Sequence, residues 1–219
     1  MTEPAQEPAH EPARQETTTA TEAASVPEGY APWSGHVPAD GRRTPVTTYR
    51  LQMGSTLTFD DARRLVPYLR DLGVTDVYLS PVLAAAPGST HGYDVVDHTR
   101  ISEVMGGRAG LERLADDVHA TGMGLVLDIV PNHMAVPTPA WHNLPLWSVL
   151  RDGPDSPFAS WFDVPVDAPI LMPVLGARIG KVLADEQLVL ERMVVPTEPE
   201  RGEQWVLRYF DHVFPVAEG

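Results

Sequence analysis

The run Met123-Gly124-Leu125-Val126-Leu127-Asp128-Ile129-Val130 constrains this chain more than any other segment. It is short enough for one strand and too uniformly apolar for a strand that leaves one face in water. Pro131 closes it. A run of this kind reads as a member of a parallel sheet covered on both faces, so the chain around it must supply helices as well as neighbouring strands.

The upstream sequence supplies both. Residues 46–51, Val-Thr-Thr-Tyr-Arg-Leu, are β-branched and aromatic and read as a strand. Phe59, Ala62, Val66 and Leu69 then recur at helical spacing behind Thr58, a good first-turn cap, with Asp60 and Asp61 suited to the positive end of the helix dipole. Pro67 is expected to kink this helix, and Gly73 to end it. Residues 74–79 form a second strand before Ser80-Pro81. A long loop is expected from there to about Gly107, followed by a helix marked by Leu111, Leu114, Ala115 and Val118 and closed at Gly122. Gly106-Gly107-Arg108-Ala109-Gly110 matches neither a phosphate loop nor a dinucleotide fingerprint and reads as the entry to that helix. The order is strand, helix, strand, helix, strand: two right-handed crossovers of a parallel α/β sheet over residues 44–133.

The flanking segments read differently. Residues 1–43 hold six prolines, eight alanines and seven acidic residues, with few apolar side chains larger than alanine. Such a segment cannot bury enough surface to offset its ordering entropy and is expected to be a disordered tail. Residues 134–219 read as an insertion subdomain. Their first part is rich in Pro and Trp without a repeating period, and 187–195 and 204–210 form a strand pair around the turn-prone segment 196–202. Trp141, Trp147 and Trp161 read as core residues ahead of sugar platforms.

Charge and composition narrow the partners. With 30 acidic residues against 16 basic and a net charge of −14, the chain lacks the electrostatic footprint of a nucleic-acid binder. No stretch approaches the roughly 18 apolar residues of a membrane span. The first residues lack the basic and apolar regions of a secretory signal. With no cysteine, disulfides, thiolate metal sites and a cysteine nucleophile are excluded, which fits a cytoplasmic setting. No His-x-x-x-His spacing suggests a catalytic zinc.

Ligands of parallel α/β sheets bind beyond the carboxyl ends of the strands. Three polar clusters fall there: Tyr49-Arg50-Leu51-Gln52, Gly88-Ser89-Thr90-His91-Gly92-Tyr93-Asp94, and Asp128 through His133. Asp128 is an acid in an apolar strand, either a structural carboxylate held by loop amides or a ligand group. Asn132 reads first as a loop organiser. His133 is either a satisfied buried histidine or a ligand contact. Tyr93 is either core or a stacking platform for a sugar ring, and Asp94 either braces its loop or joins the site.

These clusters carry a resemblance. Asp128-x-x-x-Asn132-His133 at the end of a third strand resembles the first signature region of the α-amylase superfamily. Taken with Thr48-Tyr49-Arg50-Leu51-Gln52, Tyr78-Leu79-Ser80-Pro81 and the 88–94 loop, it resembles the maltooligosyltrehalose synthase family within that superfamily. Pro173-Val174-Leu175-Gly176 and Tyr209-Phe210-Asp211-His212 also look like that family's insertion after the third strand. Residues 163–167, Asp-Val-Pro-Val-Asp, depart from the family's usual Ile-Asp-Trp ending.

The resemblance implies an incomplete (β/α)8 TIM barrel: the first three strands and two helices, plus the start of the insertion. It implies an intramolecular transglucosylase that turns the reducing-end α-1,4 linkage of a maltooligosaccharide or α-1,4-glucan into an α,α-1,1 linkage. By motif match, Tyr93 is expected to stack on the sugar and His133 to hydrogen-bond it. Asp128 and Asn132 are expected to brace site floor and loop, with Asp94 beside them. No cofactor and no required metal are implied. A closed barrel takes about 250 residues, and the family's nucleophile, general acid and third carboxylate lie on strands four, five and seven. No catalytic residue is therefore expected among these 219. The chain alone is expected to be an inactive amino-terminal fragment, aggregation-prone or partly folded. A fragment of another α-amylase-superfamily hydrolase and a non-catalytic glucan-binding module are the alternatives.

Overall fold

The computed structural model describes residues 44–164 and 168–217. The tail expected over 1–43 and residues 165–167 of the family departure lie outside the described residues. The first strand, β1 (Thr48–Leu51), leads to helix α1 (Phe59–Asp71). Thr58 closes a capping box at its start: its hydroxyl oxygen accepts from the Asp61 N–H at 3.3 Å, and its own N–H donates to Asp61 Oδ2 at 2.8 Å. The helix runs through Pro67, and Gly73 follows it at φ +84°. Its buried residues are Phe59, Ala62, Val66 and Leu69, the face that the spacing predicts.

Strand β2 (Asp76–Leu79) is followed by β3 (Leu83–Ala85) and β4 (Val95–Ile101), which pair antiparallel. The long loop expected from Ser80 to Gly107 is thus corrected: it contains a strand pair. Three residues in β3, an interrupted register and the polar Asp97-His98-Thr99-Arg100 of β4 leave no period-two apolar signal. Helix α2 (Gly107–Ala120) buries Leu114 and Val118. Its Gly110 lets it lie close against α1, because a Cβ there would sit 3.1 Å from Phe59 Cδ2.

Strand β5 (Gly124–Leu127) completes a parallel sheet of order β1-β2-β5. The three strands end level, Leu51 pairing with Leu79 and Leu79 with Leu127. Leu51, Val77, Leu79 and Leu125 lie on the face covered by the helices, where they pack with Phe59, Val66, Leu69, Leu114 and Val118. Each fully buried large side chain in this core contributes about 1.5–3 kcal/mol of transfer free energy. The expectation that β5 is covered on both faces needs correction. It pairs only with β2 among the described residues, and Leu127 and Ile129 are 40 % and 62 % exposed. An apolar run reports what a strand can bury, not whether a neighbour covers it.

The remaining elements form a second packed region. Helix α3 (Leu144–Asp152), absent from the sequence expectations, is capped by Asn143, whose Oδ1 accepts from the Leu146 N–H at 3.0 Å. A short helix, α4 (Ile179–Ala184), precedes strands β6 (Leu188–Val194) and β7 (Glu203–Tyr209), the pair expected from the sequence. A third strand, β8 (His212–Pro215), adds to β7 through the tight Phe210-Asp211 connection. Trp141, Trp147, Val195, Val206 and Val213 form the core here. Trp161 differs from the other two tryptophans: it is 44 % exposed and leans edge-on against Phe158. Among the described residues, no helix is long and apolar enough to cross a membrane.

Candidate functional site

The level carboxyl ends of β1, β2 and β5 set the geometry of the site. Side chains alternate between faces along a strand. The face opposite the helices therefore carries Arg50 and Gln52 from the end of β1, Tyr78 from β2, and Asp128 one residue past β5. The backbone continues the ladder to that level, since the Ser80 N–H donates to the Leu51 carbonyl and the Asp128 N–H to the Leu79 carbonyl, both at 3.0 Å.

Asp128 is the meeting point. Its Oδ2 accepts from the Tyr93 hydroxyl at 2.5 Å and from the Tyr78 hydroxyl at 3.0 Å. The desolvation problem posed by an acid in an apolar run is solved by two phenols together with solvent access, instead of by loop amides. The Arg50 guanidinium donates to the Tyr93 hydroxyl oxygen at 3.1 Å and to Gln52 Oε1 at 2.9 Å. It also lies over the Tyr78 ring, 5.5 Å from the centroid. The Tyr93 phenol titrates above its ordinary value chiefly because its hydroxyl donates to the Asp128 carboxylate, with Arg50 pulling the other way. The Arg50 guanidinium is in turn held more firmly protonated by its bond to Tyr93.

Tyr93 reaches this cluster from the 86–94 loop, which is tightly tied. The Ser89 hydroxyl donates to Asp94 and accepts from the Gly92 N–H at 3.0 Å. The Tyr93 N–H donates to His91 Nδ1 at 3.0 Å, and the two rings lie 6.0 Å apart at 26°. Gly92 has φ +78°, and a Cβ there would come within 2.7 Å of the Pro81 carbonyl oxygen. A close backbone approach thus fixes where Tyr93 begins. Tyr93 remains 38 % exposed.

The structure brings Tyr93 and Asp128 together and places Asp94 inside the loop behind them, bonded to Ser89. Asn132 and His133 bond each other, His133 Nδ1 to Asn132 Oδ1 at 3.0 Å. Both are exposed and line an adjoining groove of about 590 Å³ with His98, Val136, Leu146 and Trp161. The pair thus faces the groove, beside the Asp128 cluster and not within it. Arg50 and Gln52 stand in the first polar cluster of the sequence reading but receive no role there, and Tyr78 is not placed at the site. Their signal is present all the same: a period-two face extended across strands that end level.

The arrangement joins a cation, two phenols and a carboxylate around a partly exposed tyrosine at a sheet's carboxyl end. That chemistry suits a ligand with several hydroxyls and a flat apolar side.

Comparison with known proteins follows the same region. Residues 63–164 match the α-amylase catalytic-domain family. A Mycobacterium tuberculosis protein described as a maltooligosyl trehalose synthase is 42 % identical over 169 residues, which is 72 % of this chain and 22 % of that protein. The structure of maltooligosyltrehalose synthase from Arthrobacter ramosus superposes with a TM-score of 0.66 at 40 % identity, covering 80 % of this chain and 21 % of that one. Intracellular maltogenic amylase of Bacillus subtilis is 34 % identical over 97 residues, 44 % of this chain and 15 % of that protein. The chain spans about a fifth of the length of the synthases it matches.

Proposed function

This chain is a relative of the maltooligosyl trehalose synthases, within the α-amylase superfamily, and we propose that it forms one wall of a site acting on maltooligosaccharides. On this reading residues 44–133 are the first three strands and two helices of a (β/α)8 barrel, and 134–219 belong to an insertion after the third strand. The observation that carries it is the Tyr93–Asp128 bond of 2.5 Å at the carboxyl end of a parallel sheet, the edge on which such folds place their ligands.

The proposed reaction is intramolecular transglucosylation, from a reducing-end α-1,4 linkage to an α,α-1,1 linkage. A retaining path needs a carboxylate nucleophile and a second carboxyl group as acid and base, about 5–5.5 Å apart. Strands outside these 219 residues are to supply them. The residues present here bind and orient. The exposed part of Tyr93 receives a sugar ring, its hydroxyl fixed by Asp128, while His133 and Asn132 contact sugar hydroxyls from the adjoining groove. Asp94 keeps the Tyr93 loop in place. Water has to be kept from the glycosyl-enzyme so that glucose is recaptured and not lost. Trp161, exposed on the groove, belongs to the surface that would cover it.

The test is incubation of maltopentaose with the protein expressed from the complete reading frame containing this chain. Loss of reducing ends without a matching release of glucose is the expected result. A gain of reducing ends would make the protein a hydrolase, and binding without turnover would make it a glucan-binding module; either outcome overturns the proposal. For these 219 residues alone, no conversion is expected.

A further inference from the structure

We infer that Arg50 is a positioning residue for Tyr93, fixing the plane of the sugar-facing ring through its hydroxyl. The inference rests on the functional reading above and adds to it a residue that touches neither the sugar nor the reacting atoms.

A tyrosine hydroxyl held by one acceptor leaves its ring free to pivot about that bond. Tyr93 is held by two partners, donating to Asp128 at 2.5 Å and accepting from Arg50 at 3.1 Å. Arg50 can act as a fixed point because its own position is over-determined. One nitrogen bonds Gln52 at 2.9 Å, and the guanidinium carbon lies over the Tyr78 ring, 5.5 Å from its centroid. Tyr78 donates to the same Asp128 oxygen as Tyr93. The four residues close a ring, Arg50 to Tyr93 to Asp128 to Tyr78 and back to Arg50, drawn from three strand ends and one loop. Without the arginine, the ring opens and Tyr93 keeps only its acceptor. A guanidinium is required because it offers several donors in one rigid plane, whereas an ammonium cannot bridge Gln52 and Tyr93 and stack on Tyr78 together.

The experiment is a double-mutant cycle in the protein from the complete reading frame, with Arg50→Met, Tyr93→Phe and both together. Arg50→Met is expected to lower kcat/KM for maltopentaose about tenfold, the lower range for a lost charged hydrogen bond. The double variant should be no worse than Tyr93→Phe alone, because without the hydroxyl Arg50 has nothing to hold. Arg50→Lys should recover only part of the loss. A second readout needs no substrate: the Tyr93 phenol, identified by its absence in Tyr93→Phe, should titrate at higher pH in Arg50→Met. Additive effects, or an unmoved Tyr93 titration, overturn the inference. If the wild-type protein leaves maltopentaose unchanged, the functional reading fails and the titration alone decides the positioning role. If Arg50→Met does not fold, the same cycle is run with Arg50→Lys, and additivity there is equally decisive.

Discussion

The indole N–H of Trp147 donates to Oε2 of Glu198 at 3.0 Å inside the second core, and the same oxygen accepts from Arg151 at 2.5 Å. The Trp147 side chain is fully buried and that of Arg151 is 5 % exposed. One carboxylate therefore ties helix α3 to the connection between β6 and β7. Bonds to Asp152 and Glu198 keep the Arg151 guanidinium protonated well beyond its ordinary range.

Removing that carboxylate leaves a buried indole donor unpaired and a buried guanidinium with Asp152 as its remaining ion-pair partner. Glu198→Ala is expected to cost about 3 kcal/mol of stability, within the range for breaking a buried pair. Glu198→Gln keeps an acceptor for Trp147 and should cost less. Denaturant unfolding of both variants checks this; equal losses would show that the charge carries the whole contribution and the neutral acceptor none.

The cap of α1 makes an acid-side prediction. Hydrogen bonds from the Thr58 side chain and backbone hold the Asp61 carboxyl below its ordinary pKa of 3.8. A depressed native pKa means that its contribution is present above the ordinary value and is lost as pH falls through the lower native one. Thr58→Ala should therefore lower stability by about 1 kcal/mol at neutral pH. It should also flatten the decline below pH 3.8, as followed by helical circular dichroism. A variant that keeps the wild-type acid slope would separate the cap from Asp61.

The opposite sign applies at the site. Tyr93 titrates above its ordinary value of 10.0 because its hydroxyl donates to Asp128. A raised native pKa contributes stability that is fully present below pH 10.0 and lost as pH rises through the native value. Asp128→Asn removes the anion and should bring the phenol's titration down towards 10.0, read by tyrosinate absorbance. An unchanged titration would mean that the carboxylate does not hold the hydroxyl in solution.

Gly92 tests the loop that delivers Tyr93. Its φ is +78°, and any Cβ would stand 2.7 Å from the Pro81 carbonyl oxygen, which leaves no room for a side chain. Gly92→Ala is expected to cost about 2 kcal/mol and to weaken oligosaccharide binding more than it lowers Tm, since the loop can shift while both cores stay packed. An alanine variant with unaltered binding would show that the loop tolerates the shift.

Much of the first core is legible in the sequence because its determinants are local. The Thr58 cap, the 59-62-66-69 face and the Leu114–Val118 face lie within a turn or two of one another. Strand-end reasoning and the family resemblance also point to Tyr93 and Asp128. The antiparallel pair β3–β4, helix α3 and strand β8 leave no such local signal. For helix α3 the stability comes from partners far along the chain, as when Trp147 meets Glu198; β3–β4 and β8 pair with sequence neighbours through short strands without an alternating apolar pattern.

By itself, the sequence determined the secondary elements of the parallel unit, the side of each helix that is buried and the polar groups available at each strand end. Only the tertiary structure decided which of those groups meet. Arg50, Tyr78 and Asp128 share a face because three parallel strands stand in one register, and a one-residue slip would turn a strand's side chains to the opposite face. Register is a property of pairing between distant segments, set by hydrogen bonds and core contacts together. The β5 side chains stay partly exposed for a related reason: an apolar run states a capacity for burial, and only what packs on the two faces of the sheet can fulfil it.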